Sequence, residues 1–153
     1  MIVNARMYSV APAAKAAWRE LLEWVLEQAN LRMEFVDQES PATLADLWVR
    51  NDVGPLDSYV HDLIRHNDPA FAANVRVIAV TEAAPMPPII ATAALDPDAV
   101  GRLRKAFLAV GGASELRSVR ETLLLRRFAV PEPSAYDVFH GILKASEQHA
   151  GVW

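Results

Sequence analysis

Two short stretches of this chain place hydroxyl groups where a strand would hand over to a helix, Arg6-Met7-Tyr8-Ser9 and Gly54-Pro55-Leu56-Asp57-Ser58-Tyr59. A helix start carries backbone N–H groups without intrahelical partners and the positive end of the peptide dipole. Hydroxyls from Tyr8, Ser9, Ser58 and Tyr59 beside such a start suit a small oxyanion or a polar head group. Asp57 narrows that choice. An ionised carboxylate at the same turn repels a fully charged anion and favours a ligand that brings a proton or an ammonium group. The competing reading is architectural: Ser9, Asp57 and Ser58 are also common helix caps, and a tyrosine can be a half-buried amphipath.

Catalytic readings are weaker. Ser58 and His61 bring a hydroxyl and an imidazole near each other, but both fall in one helical turn, and no Gly-x-Ser-x-Gly elbow or oxyanion hole accompanies them. His61 and His66 are five residues apart rather than the four that align two ligands on one helix face. His140 and His149 are nine apart, so neither pair makes a metal site. No cofactor motif is present, and the chain is read as a non-enzyme. Trp18 and Trp48 follow the apolar spacing of their segments and read as core or helix cover, as does Trp24, rather than as a stacking platform. The cations Arg102, Arg104 and Lys105, and later Arg117, Arg120, Arg126 and Arg127, read as solvated helix faces.

The elements that would position these turns follow from periodicity. Ile2 to Tyr8 reads as a strand, and Ser9 with Pro12 then opens a helix whose Trp18, Leu21, Leu22, Val25, Leu26 and Ala29 recur at helical spacing. Residues 32–37 alternate as a strand does, 43–50 suggest a short helix, and 53–56 a further strand. Ser58 caps a helix through Phe71, and 75–81 is an apolar, β-branched run of the kind found in buried strands. Pro85, Pro87 and Pro88 make 82–88 an extended crossover or hinge-like segment. Residues 89–94 read as a strand. Asp96 and Pro97 open a helix that Gly111 and Gly112 close, and Ser114 starts another reaching Leu125. After an extended piece at 128–130, Ser134 and Asp137 resemble a capping box before a last helix that buries Tyr136, Val138, Phe139, Ile142 and Leu143. Alternating strands and helices predict a single α/β domain over 1–153, three-layered, with a mostly parallel central sheet and helices on both faces.

The chain has 153 residues, 52% of them hydrophobic and 22% charged, which is the composition of one globular domain. A net charge of −4 with interspersed cations lacks the basic stripe that nucleic acid needs. With no cysteine there is no disulfide or thiolate chemistry. The N-terminus has no secretory signal pattern, and no stretch reaches membrane-spanning length.

Four segments together, ARMYS before a Trp-containing helix, DVGPLDSYVHDLI, RVIAVTEAAPMPPIIAT and RRFAVPEPSAYDV, resemble the PhnD-like phosphate/phosphonate solute-binding proteins of ABC transporters. The resemblance implies a type II periplasmic-binding fold of two α/β lobes, a periplasmic location, an ABC-transporter permease as partner, and no catalysis. It places Tyr8, Asp57, Ser58 and Tyr59 near the cleft and 85–88 in the hinge. Those relatives carry most of a second lobe between the part like LADLWVR and the part like DVGPLDSY. Here only Asn51 separates Arg50 from Asp52, which implies that most of one lobe is absent. The alternative role is then structural, a truncated lobe forming a homodimer and binding no ligand.

Overall fold

The computed structural model describes residues 2–3, 12–32, 34–35 and 57–149. The expected helix at 43–50, the strand at 53–56 and the residues Tyr8, Ser9 and Trp48 lie outside them. The chain divides into two contact units, Met1–Arg76 with Leu95–Phe128, and Val77–Ala94 with Ala129–Trp153.

The first unit is built on α1, Pro12–Gln28. Its buried stripe, Ala14, Ala17, Trp18, Leu21, Val25 and Leu26, follows the helical period, and complete burial of a Leu or Val side chain contributes about 1.5–3 kcal/mol. The helix ends in a Schellman motif. Asn30 takes a φ of 52°, its N–H reaches the Glu27 carbonyl at 2.9 Å, and the Leu31 N–H reaches Leu26 at 2.9 Å. Arg102 adds a donor, its Nε meeting the Ala29 carbonyl at 2.8 Å.

Against α1 pack α2 (Ser58–Asn67), α4 (Pro97–Ala109) and α5 (Arg117–Thr122), with the short α3 (Pro69–Ala72) following α2. The continuous helix expected through Phe71 is broken at Asp68, whose side chain caps α3 by accepting from Phe71 N–H at 3.1 Å, with Pro69 at its first position. Asp96 caps α4 as expected, accepting from Ala99 N–H at 3.2 Å. A 3-10 turn at Val110–Gly112 then leads to α5, which begins at Arg117 rather than Ser114. Arg120 Nη1 donates to the carbonyls of Val110 and Ala113, both at 2.6 Å, and so closes that turn. Arg102 and Arg120 therefore serve helix ends, where the sequence pattern had read only solvated faces. A second Schellman motif ends α5, with Leu124 at φ 51° and Leu125 N–H on the Arg120 carbonyl at 2.8 Å. Phe128 closes the core edge-on against Trp18 and Phe107, at centroid distances of 6.4 and 5.0 Å.

The expected central sheet is not seen. The strands among the described residues are β1 (Ile2–Val3) and β2 (Glu34–Phe35), paired in parallel as Ile2 with Glu34 and Val3 with Phe35. Residues 75–81 and 89–94, expected as strands, have no regular structure, and apart from the half-buried Val75 their apolar side chains are exposed instead of buried. A β-branched run records a preference for extended backbone, but a strand exists only where a neighbour takes its N–H and C=O groups. Among the described residues neither segment has one.

The second unit holds the 3-10 turn Pro133–Asp137 and α6, Val138–His149. The turn replaces the expected capping box. Tyr136 stacks on Phe139 at 6.2 Å and donates its hydroxyl to the Met86 carbonyl at 3.1 Å. Phe139, Ile142 and Leu143, expected inward, are exposed. Of the twelve large apolar residues exposed among the described ones, ten fall in this unit, which there contains no buried side chain.

Candidate functional site

The turn at 57–59 is set by its cap. Asp57 has extended backbone, φ −62° and ψ 130°, and its Oδ1 accepts from Val60 N–H at 3.0 Å while its carbonyl accepts from His61 N–H at 2.9 Å. Ser58 is thereby the first residue of α2. It is exposed, and its hydroxyl has no hydrogen bond among the described residues.

Tyr59 has a different task. It is half-buried against the core, and its hydroxyl donates to the Leu123 carbonyl at 2.7 Å. At the other end of α2, Asn67 Nδ2 donates to the carbonyls of Leu63 and Thr122 at 2.9 and 3.1 Å. These two ties bind both ends of α2 to the C-terminus of α5, satisfying carbonyls that the helix end leaves open. The Tyr59 proton is committed to Leu123, so its oxygen can face a further group only through its lone pairs.

The sequence-derived set thus separates. Asp57, Ser58 and Tyr59 lie together at the start of α2, with Asp57 and Ser58 facing solvent and Tyr59 turned to the core. Tyr8 and Ser9 lie outside the described residues. Ser58 and His61 share no hydrogen bond there, and among the described residues no three His, Asp or Glu side chains converge on a metal position. The 3-10 turn borders an open hollow of about 590 Å³ lined by Leu108, Gly111, Gly112, Arg126 and Arg127, which includes none of the expected residues. Its two arginines, Arg126 and Arg127, were read from the sequence only as part of a solvated helix face.

Among the described residues no helix is long and apolar enough to cross a membrane. An exposed helix start carrying a hydroxyl and a carboxylate is equipped to hold a polar solute. Residues 47–136, more than half of the chain and spanning this turn, match the family of ABC transporter phosphonate periplasmic substrate-binding proteins. The chain belongs to that family, as the resemblance led one to expect, with the ARMYS segment at 5–9 lying outside the matched residues. No curated protein and no solved structure matches it.

Proposed function

We propose that the chain is a solute-binding module for phosphonate-like or phosphate-like ligands, without catalysis of its own, serving an ABC transporter in the periplasm. The observation that carries this reading is the family match over 47–136. Within it, Ser58 Oγ and the backbone N–H of Ser58 are the donors for a tetrahedral oxyanion, because Asp57 already occupies the N–H of Val60. Asp57 takes the ammonium or protonated end of the ligand. Tyr59 holds the helix start in place, and Tyr8 and Ser9 supply further hydroxyls.

Calorimetry with inorganic phosphate, an alkylphosphonate and an aminoalkylphosphonate tests this. The aminoalkylphosphonate is expected to bind most tightly and Ser58→Ala to weaken it. Absence of heat with all three at about millimolar concentration, the weak end of specific binding, would remove the reading.

A further inference from the structure

We infer that residues 76–82 form an antiparallel β-ribbon with the same segment of a second copy of this chain, in the register that places Ala79 opposite Ala79. This goes beyond the solute-binding reading and does not depend on it.

The segment Arg76-Val77-Ile78-Ala79-Val80-Thr81-Glu82 is strand sequence that has no strand neighbour among the described residues. After Val75 N–H meets the Ala72 carbonyl, no backbone-to-backbone hydrogen bond involves residues 76–93 among those described. Val77, Ile78 and Val80 are 55, 68 and 84% exposed. A row of unpaired N–H and C=O groups flanked by β-branched side chains is a template for another strand. Its extent is limited. Helical turns end just before it, and Pro85, which has no N–H, stops a ladder beyond it.

Charge identifies the occupant. Pairing the segment with itself about Ala79 sets Arg76 opposite Glu82 of the second copy and Glu82 opposite its Arg76. Both residues are exposed and neither has an ion-pair partner among the described residues. On the same face Ile78 meets Val80, so two ion pairs flank an apolar centre. On the other face Val77 meets Thr81 and Ala79 meets Ala79. A parallel pairing would bring Arg76 beside Arg76 and Glu82 beside Glu82, and a one-residue slip would set Arg76 against Thr81 and turn every side chain to the wrong face. The two-fold antiparallel register alone satisfies both charge and pleat, and it is the isologous contact a symmetric dimer uses.

The chain has no cysteine, so single introduced thiols report the register directly. Ala79→Cys, oxidised with glutathione disulfide as electron acceptor, is expected to cross-link most of the 1–153 chain into a dimer, because opposed antiparallel residues fall within disulfide reach. Ile78→Cys is expected to cross-link little by itself and efficiently when mixed with Val80→Cys. Sedimentation of the cysteine-free chain is expected to show a concentration-dependent dimer, weakened about tenfold by Arg76→Glu or by Glu82→Arg and restored by the two together. A monomeric mass from about 1 µM to about 500 µM, equal cross-linking at positions 78 and 79, or failure of the double variant to restore a dimer its single variants lose would each overturn the inference. If a charge variant fails to fold by circular dichroism, the cysteine comparison still decides.

Discussion

Trp24 and Glu115, 91 residues apart, are joined by a hydrogen bond in which the indole Nε1 donates to Oε1 at 3.0 Å. The bond fastens the exposed edge of α1 to the loop before α5. The Glu115 carboxyl is held below its ordinary value of 4.5, first by a hydrogen bond from its own backbone N–H, then by Trp24, with Ser114 and Arg120 adding smaller pulls in the same direction. The folded chain therefore protonates this group at lower pH than the unfolded chain does. Its contribution is complete above the ordinary value and is lost as pH falls through the depressed one. Glu115→Gln keeps an acceptor for Trp24 and removes the titration. The fall in Tm between about pH 7 and about pH 3, a span that contains ordinary carboxylate values, is expected to be smaller in Glu115→Gln than in the parent. Equal falls would show that this carboxylate has no part in acid sensitivity.

Tyr59→Phe separates bracing from binding. The Leu123 carbonyl that accepts from Tyr59 belongs to the C-cap residue of α5, and that residue is fully buried. Losing the hydroxyl is expected to cost about 1–2 kcal/mol in urea denaturation. If the hydroxyl only braces α2, affinity for an aminoalkylphosphonate changes little under conditions where the variant is folded. A large loss of affinity with unchanged stability would instead make Tyr59 a ligand contact.

The neighbouring glycines of the 3-10 turn should respond in opposite directions. A Cβ on Gly111 would lie 2.9 Å from Arg127 Cβ and 3.5 Å from the Arg126 carbonyl, whereas one on Gly112 meets nothing within 4 Å. Neither glycine has positive φ, so the difference is steric and not conformational. The obstacle to Gly111 is an atom next to the backbone, which cannot swing away. Gly111→Ala is expected to lose about 1–3 kcal/mol, as overpacking does. Gly112→Ala is expected to gain about 0.4–1 kcal/mol by restricting the unfolded chain. Thermal or urea denaturation of the pair checks both signs.

What the sequence could and could not convey divides along physical lines. The stripe from Trp18 to Leu26 was legible because a helix satisfies its own backbone, so periodicity alone reveals the buried face. Asp96 and Pro97 before α4 were legible for the same reason, since a cap acts within four residues. The start of α2 at Ser58 was also readable, although the capping side chain is Asp57. The run 75–81 misled because its β-branched residues encode extension without naming a neighbour. Phe139, Ile142 and Leu143 misled similarly, since helical spacing marks an apolar face whether or not anything covers it. At the candidate site, the Asp57-Ser58-Tyr59 turn was visible, but the commitment of the Tyr59 proton to Leu123 spans 64 residues and has no local signature. Trp24 with Glu115 and Arg120 with Val110 belong to the same class of partnership.

Asp57 combines a cap with a charge, and two substitutions pull these apart. Its Oδ1 holds the Val60 N–H at 3.0 Å, an interaction that an asparagine carbonyl makes equally well and an alanine cannot. Asp57→Ala is expected to lose about 1 kcal/mol of stability, whereas Asp57→Asn stays within about 0.5 kcal/mol of the parent. Binding should follow the charge instead. Without the carboxylate, the repulsion against a fully charged anion disappears together with the attraction for an ammonium group. Asp57→Asn is therefore expected to bind an alkylphosphonate more tightly than the parent does and an aminoalkylphosphonate less tightly, which paired calorimetric titrations would record. Unchanged ratios in Asp57→Asn would confine this residue to capping and move the ligand-facing chemistry away from the start of α2.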